Sequence, residues 1–445
     1  MDRIFLYLNC LLLSLLNVWP VFAQGESSPL APNILYSRSG FFRFSYDQVT
    51  MPSGIDDMGL LGLIYQADLS SLVYGGIGGF GSVTGSQGGL FILGVAGGLH
   101  KKWSDHWWLD AGLFVGGGGG RSSLVGGGLM VRPYVGVAYQ FKWARLGMHI
   151  SEVKFPDGLI QSRQLGFDLD LPFDMYYTSY PKEVRPSISE IMLCGICSFS
   201  LQRNDFAILM QAYRQRLGTK NVLGKVQDGT IGLIGAELDH YMLQRLFWWL
   251  KASGAFRGNP NGYMDVLGGV GYQYPIIAKR LSIVPQIGVG GGGGGNVDTG
   301  GGIMLISQLG LDWELTSQFA SRASAGYLFV PRGQLRAPII TGALIYHLNM
   351  IGPYQSSSES PTFDIFNQGW RIHLFNQTYF HPQRAAWPER SAINMIALQI
   401  DQLISSRFFF SYQAASAYQG AHAGGYATGM IGPGIQSKPF LHEHL

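Results

Sequence analysis

From Leu129 to Phe141 the chain alternates. Leu129, Val131, Val135, Val137, Tyr139 and Phe141 are apolar, while Arg132, Gly136, Ala138 and Gln140 between them are small or polar. The same period of two runs from Leu165 to Phe173, where Leu165, Phe167, Leu169 and Leu171 alternate with Gly166, Asp168 and Asp170. It returns from Leu309 to Leu315, where Leu309, Leu311, Trp313 and Leu315 alternate with Gly310, Asp312 and Glu314. A strand turns successive side chains to opposite faces, so each segment predicts a β-strand with one apolar and one polar or small-residue face.

Read this way, the first third of the chain holds eight strands, near 40–48, 58–68, 71–80, 88–100, 106–118, 125–142, 144–154 and 160–173. Their connections alternate in length. Asp68 to Ser71, Lys101 to Asp105 and Lys142 to Ala144 are tight, whereas Thr50 to Asp57, Ser82 to Gly88, Gly119 to Leu124 and Phe155 to Leu159 are longer and rich in Gly, Pro, Ser and Asp. The script then repeats. Val115 to Phe141 and Val289 to Leu315 align without a gap, with Met130 matching Met304 and Gly136 matching Gly310. The expected organisation is a leader at 1–23, a first module at 24–173, a link at 174–202, a second module at 203–351, a Ser-rich link at 352–367 and a partial third module at 368–445. In the third, Leu398 to Leu403 echoes Leu63 to Leu69, and Gly424-Gly425-Tyr426 echoes Gly88-Gly89-Leu90.

Composition turns this all-β pattern towards lipid. Hydrophobic residues make up 47% of the chain and charged residues only 13%, about half the charge density of a solvated surface. The almost unbroken apolar run from Ile4 to Val21, with Val-Phe-Ala at 21–23, fits a secretory leader cleaved near Ala23. Beyond it no apolar run reaches the ~20 residues of a spanning helix, so any crossing is made by strands. Alternation, turn asymmetry and the clustering of Trp103, Trp107, Trp108, Trp143, Tyr139, Phe141, Phe173 and Tyr176 at the short-turn end resemble the outer-membrane β-barrels of Gram-negative bacteria, where such rings form an interfacial girdle. Packing of these rings in a core is the plainer reading.

The resemblance implies an antiparallel transmembrane β-barrel built from tandem repeats of about eight strands. Eight, eight and four strands sum to a single barrel of about 20, with separate eight-stranded barrels as the alternative. It also implies outer-membrane lipid and the barrel-assembly machinery as partners, and is compatible with a homo-oligomer. Arg132, Gln140, Arg145, Asp168, Asp170, Asp312 and Glu314 would line a polar lumen, making a porin-like passive channel for small solutes. A surface or adhesive barrel with a plugged lumen is the alternative. A net charge of +3 without a basic cluster offers no grip on nucleic acid, and no cofactor is implied.

Other candidate chemistry is local. The glycine runs at 116–120 and 290–295 lack the Lys-Ser/Thr and helix of a phosphate cradle, and are expected to form strand rims that permit twist and bulges. Cys194 and Cys197 are spaced for a local disulfide. Arg145 to Glu152 with its His-x-Ser, the following Phe155-Pro156-Asp157-Gly158 and a last strand closing in Leu-Pro-Phe resemble the lipid A 3-O-deacylase family of eight-stranded barrels. That resemblance implies His149 as base, Ser151 as nucleophile and Gln161 at the place of the orienting acid. Glu152 stands where that family has Asn, and Gln161 carries no charge. Ala323 and Ala325 stand at the same offset in the second module, so an active enzyme is not expected.

Overall fold

The computed structural model describes residues 35–52, 54–120, 122–173, 175–178, 199–260, 262–277, 280–353, 370–380, 392–403, 407–420 and 424–436. Within them the chain is almost wholly antiparallel sheet, and no helix is long and apolar enough to cross a membrane. The short strand β1 (Leu35–Arg38) is followed by β2 (Gly40–Val49), β3 (Met58–Asp68), β4 (Val73–Ser82), β5 (Phe91–Lys102), β6 (Trp107–Gly118), one helical turn α1 (Ser122–Val125), β7 (Met130–Gln140), β8 (Arg145–Lys154) and β9 (Gln161–Pro172). Strands β2 to β9 form a closed barrel, sealed where β9 returns to β2 with Leu171 opposite Phe42 and Asp168 opposite Ser45. The chain then enters β10 (Met175–Thr178), which pairs with β1 as a two-stranded ribbon.

A second ring follows. It consists of β11 (Phe199–Arg214), β12 (Thr230–Tyr241), β13 (Leu246–Arg257), β14 (Met264–Tyr272), β15 (Tyr274–Ile277), β16 (Leu281–Gly293), β17 (Ile303–Glu314), β18 (Phe319–Phe329) and β19 (Arg336–Pro353). Strand β11 pairs with both β12 and β19, while β14 and β15 both pair with β16. The short β15 therefore prolongs β14 past Gln273 as one wall strand, and the ring closes on eight. The last strands, β20 (Trp370–Tyr379), β21 (Ile393–Leu403), β22 (Phe408–Gln419) and β23 (Ala427–Ile435), form a four-stranded meander.

The described strands thus do not join into the single barrel of about 20 expected from their number. The reason is local: eight staggered strands already curl far enough for the last to hydrogen-bond with the first. Once β9 has met β2, no edge is left for the next module to extend.

The walls follow the alternation. Val135 is 58% exposed, Phe167 55% and Leu309 56%, all pointing outward, while Arg132, Asp170 and Asp312 on the same strands are buried inside. At the short-turn end Trp103, Trp107, Trp143, Phe141 and Phe173 are exposed. Trp108 departs from the girdle, its ring lying under the guanidinium of Arg145 at 4.4 Å. Strand β7 begins at Met130 rather than near 125, because α1 and the left-handed Gly126 (φ 58°) and Gly128 (φ 96°) occupy that stretch.

Candidate functional site

Among the described residues, the interiors of the two barrels hold most of the ion pairs. In the first, alternation along β2 turns Arg43, Ser45 and Asp47 inward between Phe42, Phe44 and Tyr46. Arg132 of β7 donates through Nε to Asp47 Oδ2 at 2.7 Å and through Nη2 to Ser45 Oγ at 3.0 Å. One layer nearer the short turns, Arg43 makes a two-pronged contact with Asp170, at 2.7 and 2.9 Å, and reaches Asp110 at 2.5 Å. Tyr74 Oη donates to Asp110 at 2.6 Å and stands 2.6 Å from Tyr134 Oη. Arg145 closes this end, stacked on Phe41 at 4.8 Å and on Trp108.

The loop end is different in kind. Leu60, Phe80, Leu90, Ile92, Phe114, Leu124, Val125, Met130, Val153 and Phe155 form a buried apolar cluster inside the ring. A cavity bordered by Met58, Gln87, Leu90, Leu124, Val125 and Ile160 has about 10 Å³, the room of roughly one water.

The second barrel repeats the design with other residues. Arg322 of β18 holds Asp312 at 2.7 and 2.9 Å, Glu237 at 2.8 Å and Asp239 at 3.2 Å. Gln308 and Gln286 extend the chain of donors to Glu237. His347 bridges Asp205 at 2.7 Å and Glu314 at 2.8 Å, and Ser253, Tyr213 and Tyr263 all donate to Asp265. Its loop end is capped by Ile231, Leu233, Met304, Ile306, Leu328 and Leu335.

Each residue expected to line a lumen is engaged by a neighbour. Arg132, Arg145, Asp168, Asp170, Asp312 and Glu314 are held in the pairs and stacks above and below, and Gln140 Nε2 donates to the carbonyls of Phe141 and Ala144 in the short turn. Sequence reasoning missed Arg43, Asp47, Asp110, Glu237, Asp239 and Arg322. The signal for the first two was present in the Arg-x-Ser-x-Asp alternation of β2.

The hydrolase candidates come together without forming a triad. His149 contacts Asp168 through Nδ1 at 2.7 Å, and Asp47 and Arg132 through Nε2 at 2.9 and 2.6 Å. Ser151 Oγ donates to Asp47 at 2.7 Å and accepts from Gln164 at 2.9 Å. Both ring nitrogens are thus occupied by groups other than the serine, and both residues are buried at 2% exposure. Gln161 lies elsewhere, donating to Glu152 at 3.0 Å. In the second module the places opposite are not those of Ala323 and Ala325. Gly136 faces His149 across β7 and β8, whereas Gly310 faces Ser324 across β17 and β18. The turn there closes from Leu315 to Phe319 instead of Phe141 to Ala144, and that extra residue shifts the count. Cys194, Cys197 and the leader lie outside the described residues.

No family model matches the chain, and none of the curated proteins does. Among solved structures it is similar to outer-membrane barrels. The NanC porin shares 9% identity over 69% of this chain and 98% of that one, with a TM-score of 0.17. OpdQ of Pseudomonas aeruginosa shares 10% over 90% and 93%, at 0.18. BamA from Haemophilus ducreyi lacking POTRA domains 1–3 shares 10% over 91% and 71%, at 0.24. The functional reading rests on the walls and interiors described above.

Proposed function

We propose that this chain resides in the outer membrane of a Gram-negative bacterium as an array of small β-barrels whose interiors are filled, serving as an embedded structural or surface-presenting scaffold. The observation that carries this reading is Arg132, 1% exposed at the centre of a closed eight-stranded ring and held there by Asp47, Ser45 and His149. An eight-stranded barrel has an interior just wide enough for side chains to fill. Outward Val135, Ile150, Phe167, Leu309 and Ile340 supply the apolar belt that hydrocarbon would cover.

A porin-like route for small solutes has support in one place. In the second barrel Lys251 Nζ, Gln308 Oε1, Ser324 Oγ and Asp239 Oδ1 are buried without a partner among the described residues, and internal water is the usual partner of such atoms. A hydrated thread there would pass water or protons sooner than solutes. Planar-bilayer recording of the refolded chain separates the readings: the filled scaffold gives no steps above baseline in either polarity, and reproducible unitary conductance would refute it. Hydrolysis is not part of the proposal, because His149 and Ser151 are tied to carboxylates within the ring.

A further inference from the structure

Two loops rest on two glycine rims through matching glycines. The loops join the third and fourth strands of a module: residues 83–90 between β4 and β5, and Gly424 to Tyr426 leading into β23. The rims join the fifth and sixth strands: Gly117 to Gly128 in the first module and Gly291 to Gly302 in the second. Gly88 N donates to Gly300 O at 2.9 Å, and Gly424 N donates to Gly126 O at 3.2 Å. The two acceptors occupy matching places in the repeat and share a left-handed backbone, φ 58° at Gly126 and 53° at Gly300. Gly128 and Gly302 match at 96° and 102°, and the loop residues Gly89 and Gly425 at 90° and 89°. A second bond, from Gly425 N to Gly118 O at 3.1 Å, locks the third module to the first. The third sheet is thereby seated on the first barrel and the first barrel on the second, by the same backbone hydrogen bond.

The connection between β13 and β14 in the second module carries a matching backbone bond. Tyr263 N donates to Pro260 O at 3.2 Å as Leu90 N does to Gln87 O at 3.1 Å, and Gly262 has φ 81°. Yet among the described residues nothing lies within 4 Å of the point where a Cβ on Gly262 would stand. Among their differences, the residue before the left-handed glycine is Gly88 or Gly424 in the two seated loops and Asn261 in this one. That position tolerates no side chain in a seated loop. A Cβ on Gly88 would come 2.6 Å from Gly300 O, and one on Gly424 2.5 Å from Gly126 O.

We propose that the Gly-Gly pair is a docking code by which one module of this chain recognises the glycine rim of another, and that Asn261 withholds the second module's loop from such a contact. The dipeptide then decides which loops dock on a rim of another module and which does not. The contact between Phe206 of β11 and Tyr412 of β22, with ring centroids 4.5 Å apart, brings the third sheet against the second barrel as well, so each module touches the other two. The glycine runs are joints between modules, not only relief for twist within one.

Gly88 and Gly424 do not have positive φ, so a side chain there adds a contact without straining the backbone. The experiment is amide hydrogen exchange read by mass spectrometry on the full chain in detergent, comparing wild type with Gly88→Asn and Gly424→Asn. Gly88→Asn is expected to speed exchange at least tenfold in both 83–90 and the distant rim 291–302, leaving 117–128 unchanged. Gly424→Asn should deprotect 117–128 and spare 291–302. Retained protection of the barrel strands shows that each variant is folded, and Gly88→Ala, which adds a single carbon, should act in the same direction. Exchange that rises only around the substituted loop, or rims that exchange in wild type as fast as open loops, overturns the proposal.

Discussion

Arg132 and Asp47 meet at 2.7 Å in the centre of the first barrel, with exposures of 1% and 0%. Taking two charges out of water costs several kcal/mol each, and the pair recovers this only because Ser45, His149 and Ser151 satisfy the remaining atoms. Removing one partner leaves the other buried and uncompensated. Arg132→Ala should therefore destabilise the barrel by about 3–5 kcal/mol, whereas Arg132→Met combined with Asp47→Leu should recover most of the loss. Urea unfolding in lipid vesicles measures both, and a double variant as unstable as the single one would show that the network does more than neutralise itself.

The hydrolase-like residues give a second expectation. Since His149 is gripped on both nitrogens and Ser151 donates to Asp47, neither can generate a nucleophile in this arrangement. His149→Ala and Ser151→Ala should leave any ester hydrolysis by the purified chain indistinguishable from background, while His149→Ala lowers stability by about 1–3 kcal/mol through the lost hydrogen bonds to Asp168 and Asp47. A serine-reactive fluorophosphonate probe that labelled Ser151 in wild type would contradict this.

The wall makes a third. Val135 is 58% exposed and Ile150 61%, opposite each other on β7 and β8. If that face meets hydrocarbon, Val135→Arg costs about 2–4 kcal/mol near the middle of the bilayer and close to nothing in a short-chain interface. Val135→Leu should be neutral in both. An arginine tolerated equally well at 135 in vesicles of thick bilayers would argue that this wall faces water.

Much of this was legible because period two survives wherever the two faces of a strand differ. The first eight strands, the outward Val135 and Leu309 and the inward Asp168, Asp170 and Asp312 all follow from contrast between neighbours. At the loop end the contrast vanishes: inward Leu60 and outward Leu61 sit side by side, and the apolar cap that seals the ring left no mark in the sequence. The ionic partners were invisible for another reason. Arg43 and Asp170 lie 127 residues apart, and only closure of the ring brings them together. Counting along a repeat failed where the turn after β17 gained a residue, since a slip of one turns a strand inside out and put Ala323 in the place of Ser324.

Lys251 offers the last test. Its side chain is fully buried in the second barrel, with the ammonium 5.7 Å from the Trp249 ring and no hydrogen-bond partner among the described residues. The nearby Asp265 is already served by Ser253, Tyr213 and Tyr263, so its hydrogen bonds do not depend on the lysine. Lys251→Met keeps the length of the side chain and removes a cation whose burial is poorly repaid, and replacing buried ions by apolar groups of similar volume is commonly neutral or stabilising by about 1–4 kcal/mol. The variant should unfold at equal or higher urea concentration than wild type. If internal water solvates the ammonium, the same substitution should also slow proton leak through vesicles carrying the refolded chain. A loss of stability would mean that the acidic groups of this interior need the lysine as their counter-ion, as those of the first barrel need Arg43 and Arg132.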